Sequence, residues 1–207
     1  MPKLYYTPTS CGAASFIAAF TTGLALECET VDLRTHTTAS GADFYTINKK
    51  GNVPALVLDD GTVLNEGAAV LSWIGDQTGG DKVFPALGSS KRYEVIGALN
   101  YVASEVHANF GPLFNPTNSD DIKAAHKAAL AKKFEYLSGL VESKPFVTGD
   151  SFTIADSYLY IVLSWCGYVG VDISAFPKLV EYSDRVKALS NVAGAHERMA
   201  SSPATTC

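Results

Sequence analysis

The chain has 207 residues, 47% of them hydrophobic and 18% charged, a balance that builds a globular core in one large or two small domains and excludes a disordered polypeptide. Its formal net charge of −5 gives no reason to expect nucleic acid or an anionic membrane surface as a partner. Four cysteines (Cys11, Cys28, Cys166, Cys207) are scattered without a C-x-x-C or a metal-ligand spacing, so no metal site, no disulfide scaffold and a reducing, cytoplasmic compartment are expected.

In chain order, Lys3 to Tyr6 reads as a first strand. A turn with Pro8, Thr9, Ser10 and Cys11 follows, then a helix to about Leu24 with Phe16, Ile17, Phe20 and Leu24 on one face. The polar turn before this run and Thr21, Thr22 and Gly23 within it argue against a signal peptide. Glu27 to Leu33 alternates as a second strand. Arg34 to Lys50 is polar, with room for one irregular helix around Ala42–Ile47. Strands at Ala55–Leu58 and Thr62–Leu64 flank Asp60-Gly61, a hairpin signal. A helix from Ala68 to Gln77 closes a β-α-β-α-β-β-α unit over residues 1–78. Gly and Pro mark a linker at 79–90.

Residues 91–200 read as all-helical. Ile96, Leu99, Val102, Val106, Phe110 and Leu113 step by three and four along one long helix; Leu130, Phe134, Leu137 and Val141 mark a second. Thr153 to Asp156 has the spacing of a capping box, opening an apolar helix through Gly167. The uncharged run 157–171 is shorter than the ~20 residues that span a bilayer, so it is expected as a core helix. Two shorter helices follow, around Phe176–Val186 and Ala193–Met199, and 201–207 is expected to be a frayed tail.

The turn at Ser10-Cys11 carries the chemistry. A strand-turn-helix sets both residues at a helix start, where unpaired N–H groups and the helix dipole favour a thiolate and lower a thiol's pKa. The residues alone leave open a buried small hydrophobe at Cys11.

A β-α-β-α-β-β-α domain followed by a helical one resembles the cytosolic glutathione transferases, most of all their beta, bacterial-type class. The motifs are Thr9-Ser10-Cys11, Gly51-Asn52-Val53-Pro54-Ala55-Leu56, Asn65-Glu66-Gly67-Ala68-Ala69, Leu99-Asn100-Tyr101 with Glu105-Val106-His107, and Phe152-Thr153-Ile154-Ala155-Asp156-Ser157-Tyr158. The resemblance implies a thioredoxin-like N-terminal domain, a helical-bundle C-terminal domain, a homodimer, and no metal. It also implies attack by glutathione thiolate on a small hydrophobic electrophile, or thiol-disulfide exchange.

The same resemblance assigns roles residue by residue. Pro54 is expected to be cis, with Asn52 and Val53 presenting backbone groups to the cysteinyl part of glutathione. Glu66 and Gly67 open a helix whose N–H groups suit the γ-glutamyl carboxylate, Glu66 meeting the ammonium group. Family members often have serine where this chain has Gly67. Asn100, Ser104 and His107 share a helix face by spacing; the asparagine and histidine would face the cleft, and Glu105 the partner subunit's glutathione. His36 stands where beta-class enzymes place a lysine for the glycyl carboxylate. Cys11 would form a mixed disulfide with glutathione, Ser10 is the hydroxyl alternative, and His107 would polarise the thiol. A non-catalytic glutathione-binding or regulatory protein of the same fold is the rival reading, resting on Gly67 and His36.

Overall fold

Leu4 and Tyr6 point to one face of the first strand, β1 (Lys3–Tyr6), and Tyr5 to the other, so the strand separates two apolar clusters. The computed structural model describes residues 1–78, 83–201 and 206. Helix α1 (Gly12–Thr22) ends on Gly23, whose φ of 69° lets it close the last turn in the left-handed conformation. The chain then returns as β2 (Glu27–Asp32), parallel to β1 with Lys3 opposite Glu27, a pairing that needs such a crossover helix.

Two details of the next stretch differ from the sequence expectation. Thr37–Thr38 forms a short strand, β3, antiparallel to β2. The expected helix at 42–47 is a single 3-10 turn, Phe44–Thr46, opened by Asp43, whose carboxylate accepts the Tyr45 N–H at 3.0 Å. The hairpin forms as expected: β4 (Ala55–Val57) pairs antiparallel with β1, and β5 (Val63–Leu64) with β4, giving the order β3-β2-β1-β4-β5. Helix α2 (Gly67–Asp76) follows and packs beside α1.

The regular elements of the second half are all helices among its described residues. One rod runs from α3 (Ser90–Tyr101) through a π-helical stretch (Val102–His107) into α4 (Ala108–Phe114). Its neighbours are α5 (Asp120–Val141) and the central α6 (Ile154–Ser164), buried over its first ten residues. The helix expected to run through Gly167 breaks at Trp165 into a short α7 (Cys166–Val169); α8 (Pro177–Ala188) and α9 (Ser190–Ala200) complete the bundle.

Asp156 anchors this half. Its carboxylate accepts from the Thr153 N–H (2.8 Å) and hydroxyl (2.9 Å), the Val147 N–H (2.9 Å) and the Tyr182 hydroxyl (3.0 Å). The capping box is complete, and its role is structural. Burial pushes the Asp156 pKa up while these donors oppose the shift.

Helix α1 lies against α2, α6 and α9, so one continuous core joins the sheet half to the helical half. The thioredoxin-like unit and the bundle are thus fixed against each other. The expected linker falls partly on residues 79–82, outside the described residues. Of the tail 201–207, Thr206 is described and held: it bridges to Glu27 and accepts hydrogen bonds from Arg198. Cys28 is buried in β2.

Candidate functional site

The turn between β1 and α1 is tied down by its own hydroxyls. Ser10 donates its N–H (3.0 Å) and its hydroxyl (2.9 Å) to the Thr7 carbonyl, and its Oγ accepts the Gly12 N–H at 3.1 Å. Thr7 donates to the Val31 carbonyl at 2.7 Å. From the helical half, the Trp165 indole donates to the Thr9 carbonyl at 3.0 Å. Gly12 permits a close approach here, since a Cβ would lie 3.0 Å from the Tyr6 Cβ and force a small shift.

This arrangement separates Ser10 from Cys11. The Ser10 hydroxyl is spent on holding the turn, whereas the Cys11 thiol donates to the Val53 carbonyl at 3.0 Å. The Val53–Pro54 peptide is cis, and no hydrogen bond to the Val53 N–H occurs among the described residues. The expected low thiol pKa is not found. Burial pushes it up to about 11, outweighing the backbone N–H groups of Cys11 and Gly12, and the negative charge of Glu66 adds to the rise. Position at a helix start is legible in sequence; desolvation of the sulfur is not.

Cys11 opens into a cleft of about 570 Å³ between the two halves. Ser10, His36, Asn52, Val53 and His107 also line it. Trp165, Phe114 and Lys50 do too, none of them singled out from sequence. Trp165 and Phe114 supply an apolar wall, their rings edge-on at 5.7 Å.

His107 enters from the π-helical stretch. Its Nδ1 lies 2.7 Å from the Tyr158 hydroxyl, and its ring packs edge-on to Trp165 at 4.8 Å. Burial lowers its pKa, with Glu66 opposing, so the imidazole is neutral at neutral pH. Tyr158 is the most informative residue that sequence reasoning passed over. It stood inside the capping motif, 51 positions from its partner, with no local signal of a role in the cleft.

The residues expected at the anionic ends of the ligand lie around the start of α2 and the turn before β4. Glu66 holds the N-cap position of α2 with no side-chain cap, and its carboxylate pairs with Lys50 at 2.5 Å. The first N–H groups of α2 lack intrahelical partners by construction. Gly67 sits against Tyr158, where a Cβ would meet the phenol oxygen at 3.5 Å. Asn52 accepts at its carbonyl (2.7 Å) and side chain (3.1 Å) from Asn48. His36 has a φ of 51° and packs against the Tyr45 ring, tilted by 35° with centroids 4.5 Å apart. This pair crowds Gly51, where a Cβ would lie 2.6 Å from the Tyr45 ring. Arg34 instead pairs with Asp32 on the surface, its side chain 91% exposed.

Not every expected site residue converges on the cleft. Asn100 and Ser104 are exposed, with Ser104 donating to the Asn100 carbonyl at 2.9 Å. The expected shared face assumed α-helical geometry, and the wider π-helical turn beginning at Val102 slips that register before His107. The Glu105 carboxylate pairs with Lys133 of α5 at 2.5 Å within the same chain. Among the described residues no group of three or more His, Cys, Asp or Glu is placed to hold a metal ion. No helix among them is long and apolar enough to cross a membrane.

Comparison with known proteins places this geometry. Residues 14–77 match the family described as glutathione S-transferase, N-terminal domain, and residues 101–189 match glutathione S-transferase, C-terminal domain. Glutathione S-transferase GstA of Escherichia coli O157:H7 is 35% identical over 184 residues, 89% of this chain and 92% of that one. BphK, a bacterial GST solved as a ternary complex, is 40% identical with a TM-score of 0.91, covering 94% of this chain and 98% of that one. A sphingomonad glutathione S-transferase solved with glutathione is 37% identical with a TM-score of 0.91, covering 97% of this chain and all (100%) of that one. Matched over both halves by these domain families and over nearly its whole length by bacterial relatives, the chain belongs to the glutathione S-transferase family, in its bacterial-type branch.

Proposed function

We propose that the chain is a glutathione-dependent transferase in which Cys11 and the bound tripeptide share the Val53 backbone. The observation that carries this reading is the 3.0 Å hydrogen bond from the Cys11 thiol to the Val53 carbonyl. That carbonyl and the free Val53 N–H are the pair an extended peptide uses when it adds to a strand edge. Glutathione seated there competes with Cys11 for the carbonyl and brings its own sulfur beside the cysteine.

The remaining groups divide the ligand between them. The start of α2, with Glu66 and Gly67 and with Lys50 paired to Glu66, receives the γ-glutamyl end, and His36 serves the glycyl carboxylate. The Trp165 and Phe114 wall receives a small hydrophobic electrophile, the substrate class of detoxifying conjugation. Cys11 supports thiol-disulfide exchange, and Ser10 serves the turn. Assembly as a homodimer would set Glu105 toward a neighbouring subunit, and the cytoplasm, rich in glutathione, is the compartment that suits the reaction.

Retention on immobilised glutathione, followed by assays of conjugation and of disulfide exchange, tests this reading. Retention with turnover is expected. Retention with neither activity would make the chain a glutathione-binding protein instead.

A further inference from the structure

Tyr158 joins three parts of the site that come from distant stretches of chain. It projects from α6, is 4% exposed, and its hydroxyl lies 2.7 Å from His107 Nδ1. It also lies beside Gly67 at the start of α2. The two rings meet at 87°, with centroids 5.9 Å apart, and Trp165 packs on His107 as well. His107 lines the cleft that holds Cys11, and among the described residues its one hydrogen bond is the Nδ1 contact to Tyr158.

Resting on the proposed glutathione chemistry, we infer that Tyr158 is a positioning residue. It donates its hydroxyl to His107 Nδ1 and so leaves the imidazole proton on Nε2, facing the sulfur site. The argument is one of proton placement. A neutral imidazole carries one N–H, and a neutral phenol carries one O–H. Were Nδ1 the protonated nitrogen, it would donate to the Tyr158 oxygen and leave the phenol proton to find another acceptor. None occurs among the described residues. With the phenol as donor, both groups are satisfied and Nε2–H remains available to a thiolate in the cleft.

The charged and titratable groups facing this pair agree with neutrality. Burial raises the phenol pKa, helped by Cys11 and Glu66, and burial lowers the imidazole pKa against a smaller opposing effect of Glu66. A fixed ring with a defined donor costs no reorganisation when negative charge develops on sulfur.

Nitrogen NMR of the histidine side chains in the full-length protein tests this without any ligand. The wild type should show His107 as the Nε2–H tautomer, and Tyr158→Phe, which keeps the ring, should give a tautomer mixture and a raised His107 pKa. With glutathione and chlorodinitrobenzene, Tyr158→Phe should lower kcat about tenfold, as expected for loss of one buried hydrogen bond, with KM for glutathione nearly unchanged. In a His107→Ala background it should add nothing. An Nδ1–H tautomer in the wild type, an unchanged spectrum in Tyr158→Phe, or multiplicative losses in the double variant would each overturn the assignment. A tautomer shift in a protein that does not turn over glutathione would sink the functional reading and leave this one standing.

Discussion

The Cys11 thiol donates to the carbonyl of Val53 at 3.0 Å, so in the free protein the reactive sulfur is held protonated by the backbone group that the tripeptide would use. With burial pushing the thiol pKa up to about 11, its thiolate fraction at neutral pH is far below that of an ordinary cysteine. Alkylation of Cys11 by iodoacetamide should be slow at neutral pH, and its rate should climb with pH and level off only near 11. A plateau near 9 would contradict the buried, hydrogen-bonded thiol.

Ser10 holds the turn through Thr7 and Gly12. Ser10→Ala should cost about 1 kcal/mol of stability, in the range of a lost helix-start hydroxyl, while much of the conjugating activity survives. Denaturant unfolding and a conjugation assay on the same preparation separate the two effects. Unchanged stability with abolished conjugation would make the serine the activating group.

Glu66 and Lys50 are both more than half exposed, so their pair adds little to folding, less than about 1 kcal/mol. Glu66→Ala should leave unfolding nearly unchanged and weaken glutathione binding by about 1–3 kcal/mol, the worth of a hydrogen bond to a charged group. Titration calorimetry decides it, and unchanged affinity would remove Glu66 from the site. The 3.5 Å clearance beside Tyr158 predicts that Gly67→Ser is accommodated and binds glutathione at least as well.

Sedimentation at micromolar concentration should give twice the chain mass of 22.0 kDa. A monomer would confine Glu105 to its ion pair with Lys133 and leave it no part in glutathione binding.

Much of this molecule is legible in its sequence because local rules and tertiary packing agree. The Asp60-Gly61 turn, the Thr153–Asp156 capping box and the apolar steps of the long rod all lie where periodicity and turn chemistry put them. The places that escape are those where contact across the fold overrides local pattern. Tyr158 and Trp165 reach the cleft from more than fifty residues beyond His107 and Cys11 respectively, with nothing in their own neighbourhoods to mark them. The π-helical stretch inserts a change of pitch that spacing rules do not anticipate, which is why Asn100 and Ser104 part from His107. The pKa of Cys11 illustrates the same limit. Its place at a helix start argues for a thiolate, and only the packed structure reveals the desolvation that wins.

Incubation with oxidised glutathione followed by peptide mass mapping tests the central claim most directly. The Cys11 thiolate attacks the seated disulfide, forms a mixed disulfide and releases one glutathione. Cys28 and Cys166 are both buried, whereas Cys11 lines the cleft, so neither competes. The account predicts one glutathionyl group on Cys11, removed by reductant and absent in Cys11→Ala. A protein that binds glutathione yet carries no adduct on Cys11 after prolonged incubation would contradict it.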